Sequence, residues 1–275
     1  MPHVQVNDLS MYYEIQGTQG SPLLLIMGLG ASQIEWPPAV VEKLATRHRV
    51  ILFDNRGIGQ TAYSPEPYTL LQLATDAVTL LDVLKIEKAH IFGISMGGMI
   101  AQHLVLHYPT KVMGLVLGCT TAGKPDKPIL VSPTKEVLSI LTRPASDNRA
   151  QMVRENWHIA YTPNFVETRQ TYLEERLQRV LAYPSPRPDA YKQQIGAITH
   201  SHDTFSRLQT ITQPVLVQTG SEDKIIPPQN STLLAEQIPN ARLIVYPNAA
   251  HVYFEEANPQ ATEDILAFLQ QIEMQ

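Results

Sequence analysis

The sequence predicts an α/β fold built on a mostly parallel sheet. Three observations carry this: short β-rich apolar runs bounded by turn residues, helical segments lying between them, and one long strand-free interval in the middle of the chain. The strand-like runs come in order as MYYEI (11–15), PLLLIM (22–27), RVILFD (49–54), AHIFG (89–93), VMGLVLG (112–118), PVLVQTG (214–220) and ARLIVY (241–246). Most are apolar throughout rather than alternating, as strands covered on both faces must be. Between them, PPAVVEKLATRH, TLLQLATDAVTLLDVLKI, MIAQHLVLHY, STLLAEQI and ATEDILAFLQQI repeat apolar residues at spacings of three and four, the signature of a helix with one buried stripe. From about Thr120 to Arg207 no convincing strand occurs, and prolines interrupt the helical pattern, as in AYPSPRPDAY. The strand pattern then resumes, so residues 120–207 read as a helical cap inserted into a core made of residues 1–119 and 208–275. The insertion leaves the sheet at the carboxyl end of a strand, where ligands of such sheets bind.

A chain of 275 residues is long for one domain but usual for a single α/β core with an insertion. Hydrophobic residues make up 44% and charged residues 17%, with a formal net charge of −5, so nucleic acid has no basic stripe to grip and is not expected as a partner. The opening MPHVQVNDLS lacks a basic and apolar leader, and no apolar run approaches the roughly 18 residues of a membrane span, so a cytoplasmic protein without membrane contact is expected. Cys119 is the only cysteine, which leaves no intramolecular disulfide or cysteine-based zinc site, and its expected role is packing at a strand end.

The chemistry concentrates at strand ends. In IFGISMGGMIAQHL, Ser95 sits between Gly93 and Gly97 at the junction of a strand and a helix. A corner this sharp strains the serine backbone and brings neighbouring chain too close for side chains at the flanking glycines, and it exposes Oγ at the positive end of a helix. A serine hydroxyl is protonated at neutral pH and needs a base, itself oriented by a third group. His251, in YPNAAHVYF after the last strand, is the best placed of nine histidines. Asp223, in VLVQTGSEDKIIPP after the penultimate strand, is preferred over Glu222 as the acid. Asp54 comes too early in the chain order and reads as the organiser of its own turn, with Arg56 as a candidate partner. His200 and His202 in THSHDTF mimic the start of a metal motif that lacks its closing histidine; no metal and no cofactor are expected. His158 lies in the cap, within reach of a ligand. The backbone N–H groups of Met96 and Leu29 are the expected oxyanion donors, with Gly28 and Gly30 turning the LLLIMGLGAS loop toward the pocket. Gly28, Leu29 and Met96 are the expected substrate contacts, and the apolar side chains of Leu29 and Met96 predict a pocket mouth that favours carbon over charge.

Taken together, MGLG, DNRGIGQT, GISMGG, GSEDKIIP and AAHVYFEE resemble the α/β-hydrolase superfamily, in particular its capped esterase-like members, over nearly the whole chain. The resemblance implies an eight-stranded, mostly parallel sheet with a cap inserted after strand 6, and a Ser95, Asp223 and His251 triad. It implies a serine hydrolase acting on a small or medium carboxylic ester or lactone through an acyl-enzyme. Two departures stand out: Met27-Gly28 where many relatives have His-Gly, and Ile94 where many carry histidine before the nucleophile. Within the same chemistry the resemblance also admits carbon–carbon bond hydrolysis, thioester cleavage and cofactor-free perhydrolysis with halogenating activity. From other classes, a cofactor-free lyase using His251 as base and a slow-turnover ligand receptor stay open. Acyl length, leaving group and oligomeric state are not readable from the sequence.

Overall fold

A computed structural model describes residues 2–124, 130–143 and 148–274. Its eight strands are β1 (His3–Val6), β2 (Leu9–Gln16), β3 (Pro22–Ile26), β4 (Arg49–Phe53), β5 (Ala89–Ile94), β6 (Val112–Gly118), β7 (Val215–Gly220) and β8 (Ala241–Tyr246). They form one sheet in the order β1-β2-β4-β3-β5-β6-β7-β8, in which β1 pairs β2 and β2 pairs β4 antiparallel and every other pairing is parallel. The expected strands are all present. The added one, β1, has the sequence HVQV, too short and too exposed to be distinguished by hydrophobicity.

The strand order reverses at β3. From β3 the chain crosses to β4 on one side and returns to β5 on the other, so the carboxyl ends of β3 and β5 lie side by side, with Ile26 opposite Gly93. Crevices for ligands open at such a point.

The helices of the core follow the apolar spacing. α1 (Pro38–Ala45) and α2 (Leu70–Val83) flank β4, and α3 (Met96–His107) follows β5. The interval between β6 and β7 holds α4 (Lys135–Leu141), α5 (Arg149–Ala160), α6 (Pro163–Thr168), α7 (Gln170–Ala182) and α8 (Pro188–Ser201), with no strand among the described residues. The proline-rich AYPSPRP links α7 to α8, where the fixed ring torsions and missing N–H groups stop one helix before the next begins. α9 (Gln229–Gln237), the short α10 (Tyr253–Glu256) and α11 (Gln260–Glu273) complete the chain.

Two apolar layers cover the sheet. One packs Leu24, Ile51, Ile91 and Leu117 against α2 and α3; the other packs Leu25, Leu52, Phe92 and Val116 against α1 and α11. A third, small cluster of Trp157, Tyr161, Leu173 and Leu177 lies within α5, the turn after it, and α7, so these helices between β6 and β7 bury an apolar centre of their own.

Candidate active site

Ser95 begins at the end of β5 and caps α3, with φ 54 and ψ −123. A non-glycine residue at positive φ costs about 1–3 kcal/mol and persists only where the surroundings fix it. The surroundings here are backbone: Ser95 N–H donates to Gly118 O at 2.9 Å, and Ser95 O accepts from Gly98 N at 2.9 Å, Met99 N at 3.2 Å and Thr120 Oγ1 at 2.8 Å. The flanking glycines are required by contact. A Cβ on Gly93 would lie 2.2 Å from Gly97 O, and one on Gly97 would lie 2.1 Å from Ile26 O.

The turn after β3 leans on the same serine. A Cβ on Gly28 would stand 3.1 Å from Ser95 Cβ and 3.6 Å from Oγ. Asn55 Nδ2 anchors this turn from below by donating to Met27 O at 3.2 Å, and Gly30 takes a φ of 68. Leu29 is partly buried against the core. Met96, by contrast, has 0% exposure and packs inside the α3 layer, because α3 starts flush against the sheet. The expectation that its side chain shapes the pocket mouth is therefore corrected; the position of its backbone as first residue of α3 stands.

Asp223 and His251 meet. Nδ1 of His251 lies 2.8 Å from Oδ2 of Asp223, while Oδ1 accepts from Ile225 N at 2.8 Å and Ile226 N at 2.9 Å. Both oxygens are thus occupied, which fixes the carboxylate and leaves the imidazole one orientation. The Glu222 side chain is exposed instead. Burial pulls the His251 pKa down, but the Asp223 carboxylate and the Cys119 sulfur together outweigh it and hold the imidazole well above its ordinary value.

Cys119 joins these two halves. It is fully buried at the end of β6 with φ 40, and its thiol lies against His251. Its chain neighbours Gly118 and Thr120 are the residues that bond Ser95, so the segment beside the serine is also the segment beside the imidazole. The sequence shows no partner for this thiol because the contact spans two strand ends far apart in the chain.

The remaining candidates separate. Asp54 does organise a junction: its carboxylate accepts from Gln33 N at 2.8 Å, Gln60 N at 2.9 Å and Tyr183 Oη at 2.7 Å. Burial raises its pKa. Arg56 is not its partner; the guanidinium forks onto Asp8 and Asp76 at 2.9–3.0 Å. His200 is exposed and bonds within its own helix to Gly196 O, whereas His202 is buried and bonds Thr121 O, so the pair does not converge. His158 is exposed. His90 is buried at the opposite end of β5, 3.4 Å from Glu273.

Three residues that sequence reasoning missed, Glu255, Glu256 and Gln194, tie the helices between β6 and β7 to the site. Glu255 accepts from Tyr161 Oη at 2.9 Å, Tyr172 Oη at 2.8 Å and Arg176 Nε at 3.1 Å, and Glu256 accepts from Thr162 N and Oγ1 at 2.9 and 2.7 Å and from Ala250 N. Both glutamates lie four and five residues after His251 in AAHVYFEE, the one hint the sequence offered. Gln194 on α8 accepts from Gly30 N at 2.7 Å and has no sequence signal at all.

Comparison with known proteins agrees with the fold. The family described as alpha/beta hydrolase fold matches residues 21–258. RutD of Azorhizobium caulinodans, named provisionally as a carbamate hydrolase, is 30% identical over 99% of this chain and 100% of its own. The 3-oxoadipate enol-lactonase 2 of Acinetobacter baylyi is 30% identical over 92% of this chain and 90% of its own. Among solved structures, the enol-lactonase from Burkholderia xenovorans superposes with a TM-score of 0.84 at 25% identity, covering 98% of this chain and 100% of that one. With its reversed strand order at β3, its strained serine and its hydrogen-bonded Asp–His pair, the chain belongs to the alpha/beta hydrolase family.

Proposed function

We propose that the protein is a serine hydrolase that opens a small or medium carboxylic ester or lactone through an acyl-enzyme on Ser95. The observation that carries this reading is the Asp223–His251 hydrogen bond at 2.8 Å, set at the sheet edge where the strained Ser95 emerges. In this reading Ser95 Oγ attacks the carbonyl carbon while His251 Nε2 takes its proton. Asp223 keeps Nδ1 protonated and stabilises the imidazolium as it forms, and the N–H groups of Ile225 and Ile226 hold its carboxylate in place. The tetrahedral oxyanion is received by the N–H groups of Leu29 and Met96, one from the turn that touches Ser95 and one from the start of α3. The imidazolium then protonates the leaving oxygen. Water, deprotonated by His251, attacks the acyl carbon and frees Ser95. No metal or cofactor takes part.

The likeness to the two enol-lactonases supports this class of substrate. The likeness to RutD favours one alternative within the same chemistry, a carbamate whose carbonyl is attacked by the same oxygen. Ser95→Ala is expected to lower ester hydrolysis by about 10⁴-fold or more while leaving the circular dichroism spectrum unchanged. Ester turnover at the wild-type rate in that variant would end the assignment. Turnover of phenyl carbamates faster than of matched phenyl esters would move the substrate to the second class.

A further inference from the structure

Gln194 is fully buried, on the face of α8 that meets the β3 turn, and its two amide ends have different fates. Oε1 accepts from Gly30 N at 2.7 Å. Nε2, equally buried, has no hydrogen-bond partner among the described residues. The amide cannot be turned round to relieve this, since a donor would then face the Gly30 N–H. A buried donor without an acceptor is costly, so this amide, one of several buried polar groups left unpaired among the described residues, would gain from an acceptor that comes from outside the fold.

Gln194 stands beside the turn that touches Ser95. Gly30 lies two residues from Gly28, whose Cα leaves no more than van der Waals room beside Ser95, and one residue from Leu29. The ring of Tyr191, one turn earlier on α8, blocks any side chain at Gly30: a Cβ there would lie 2.6 Å from it. Tyr191 Oη in turn donates to Leu141 O at 2.8 Å. α8 therefore clasps the turn at one residue with an aromatic ring and an amide three positions apart, the spacing that puts two side chains on one helix face. By fixing the Leu29–Gly30 peptide, Gln194 also limits how the adjoining Gly28–Leu29 peptide can aim its N–H.

We propose that Gln194 is a positioning and specificity residue: its carbonyl sets the β3 turn, and its Nε2 donates to a second oxygen of the substrate. This rests on the ester or lactone reading above and sharpens it. The favoured substrate carries, besides its reacting carbonyl, an uncharged oxygen acceptor such as a ketone or ether. The hydrogen bond adds affinity for one class of acyl compound and does not enter the bond-breaking step.

The test compares p-nitrophenyl esters in pairs that differ by one ketone: acetoacetate against butyrate, levulinate against valerate, and the next homologous pair. After correction for uncatalysed hydrolysis, wild-type protein is expected to favour the oxo member of at least one pair by about three- to tenfold in kcat/KM. Gln194→Glu keeps an acceptor for Gly30 and removes the donor, so the ratio falls to one or below. Gln194→Met removes both, so the ratio collapses and kcat on both members also drops. A residue that only held the turn would change both members equally and leave the ratio alone. A wild-type ratio of one across the series, or a ratio unchanged in Gln194→Glu, overturns the proposal. Equilibrium binding of the same pairs to Ser95→Ala reads the oxo preference without turnover. Loss of the acyl-enzyme reading and loss of this one are thereby separate results.

Discussion

At the scale of the residue, the proposed chemistry turns on how Asp223 conditions His251. Burial alone would depress the imidazole, yet the carboxylate at 2.8 Å, with the Cys119 sulfur, raises it well above the ordinary value. A general base works in its neutral form, so kcat/KM should rise with pH along a limb whose midpoint lies above about 6.5. Asp223→Asn removes the countercharge and leaves burial to act, so that limb should move to lower pH while kcat falls by about 10⁴-fold; pH profiles of the two proteins check both signs. The same shift has a cost for stability. The imidazolium–carboxylate attraction stabilises the fold fully below the unfolded value near 6.5 and is lost as pH rises through the raised one, so it fades over the range in which the base becomes active. The strand-end positions of Ser95, His251 and Asp223 were legible because periodicity shows where strands stop. Gln194 and the thiol contact of Cys119 were not, because each is an adjacency between segments distant in the chain that no spacing encodes. Arg56 shows the same limit: its neighbour Asp54 was the obvious partner, but Asp8 and Asp76 reach it from two other elements.

At the scale of the element, α5, α6 and α7 are held to the core by charge as much as by apolar contact. Arg176 and Glu255 form a buried pair, with side-chain exposures of 11% and 1%, and Tyr161 and Tyr172 share the same carboxylate. Glu255→Ala would leave the guanidinium facing only Glu35 at 3.5 Å and two hydroxyls without their acceptor. A loss of about 3–5 kcal/mol is expected in a chemical denaturation measurement, the range for breaking a buried pair from one side. The exposed Arg154–Glu174 pair on the same helices is the control, and its removal should change the midpoint far less. These helices were the least readable part of the chain. Prolines break their periodicity, and α5 and α7 carry mostly polar sequence because their small shared centre buries few residues. The sheet was readable throughout, except for β1, whose pairing with β2 rests on backbone bonds rather than on apolar pattern.

At the scale of the whole molecule, buried histidines set the acid limit. Burial, with neighbouring cationic groups, pulls His90, His103 and His202 down to about 4. Each binds its proton more readily once unfolded, so stability contributed above about 6.5 is lost as pH falls toward 4. The urea midpoint should therefore drop steeply between pH 7 and pH 5, against the smaller opposite contribution of His251; a midpoint flat over that interval would contradict the neutral state of these rings. The three rings lie at two separate places in the fold, so no single local rearrangement relieves them all.

The helices between β6 and β7 grip the core at several points, among them Tyr183 on Asp54, Gln194 on Gly30, and Arg176 with Thr162 on the glutamates that follow His251 in the chain. Two of these grips fall on the very loops that carry the proposed donor and the proposed base. Grafting the corresponding insertion from a relative would thus disturb turnover along with substrate choice, and a successful transplant would have to carry its anchoring partners in the recipient scaffold with it.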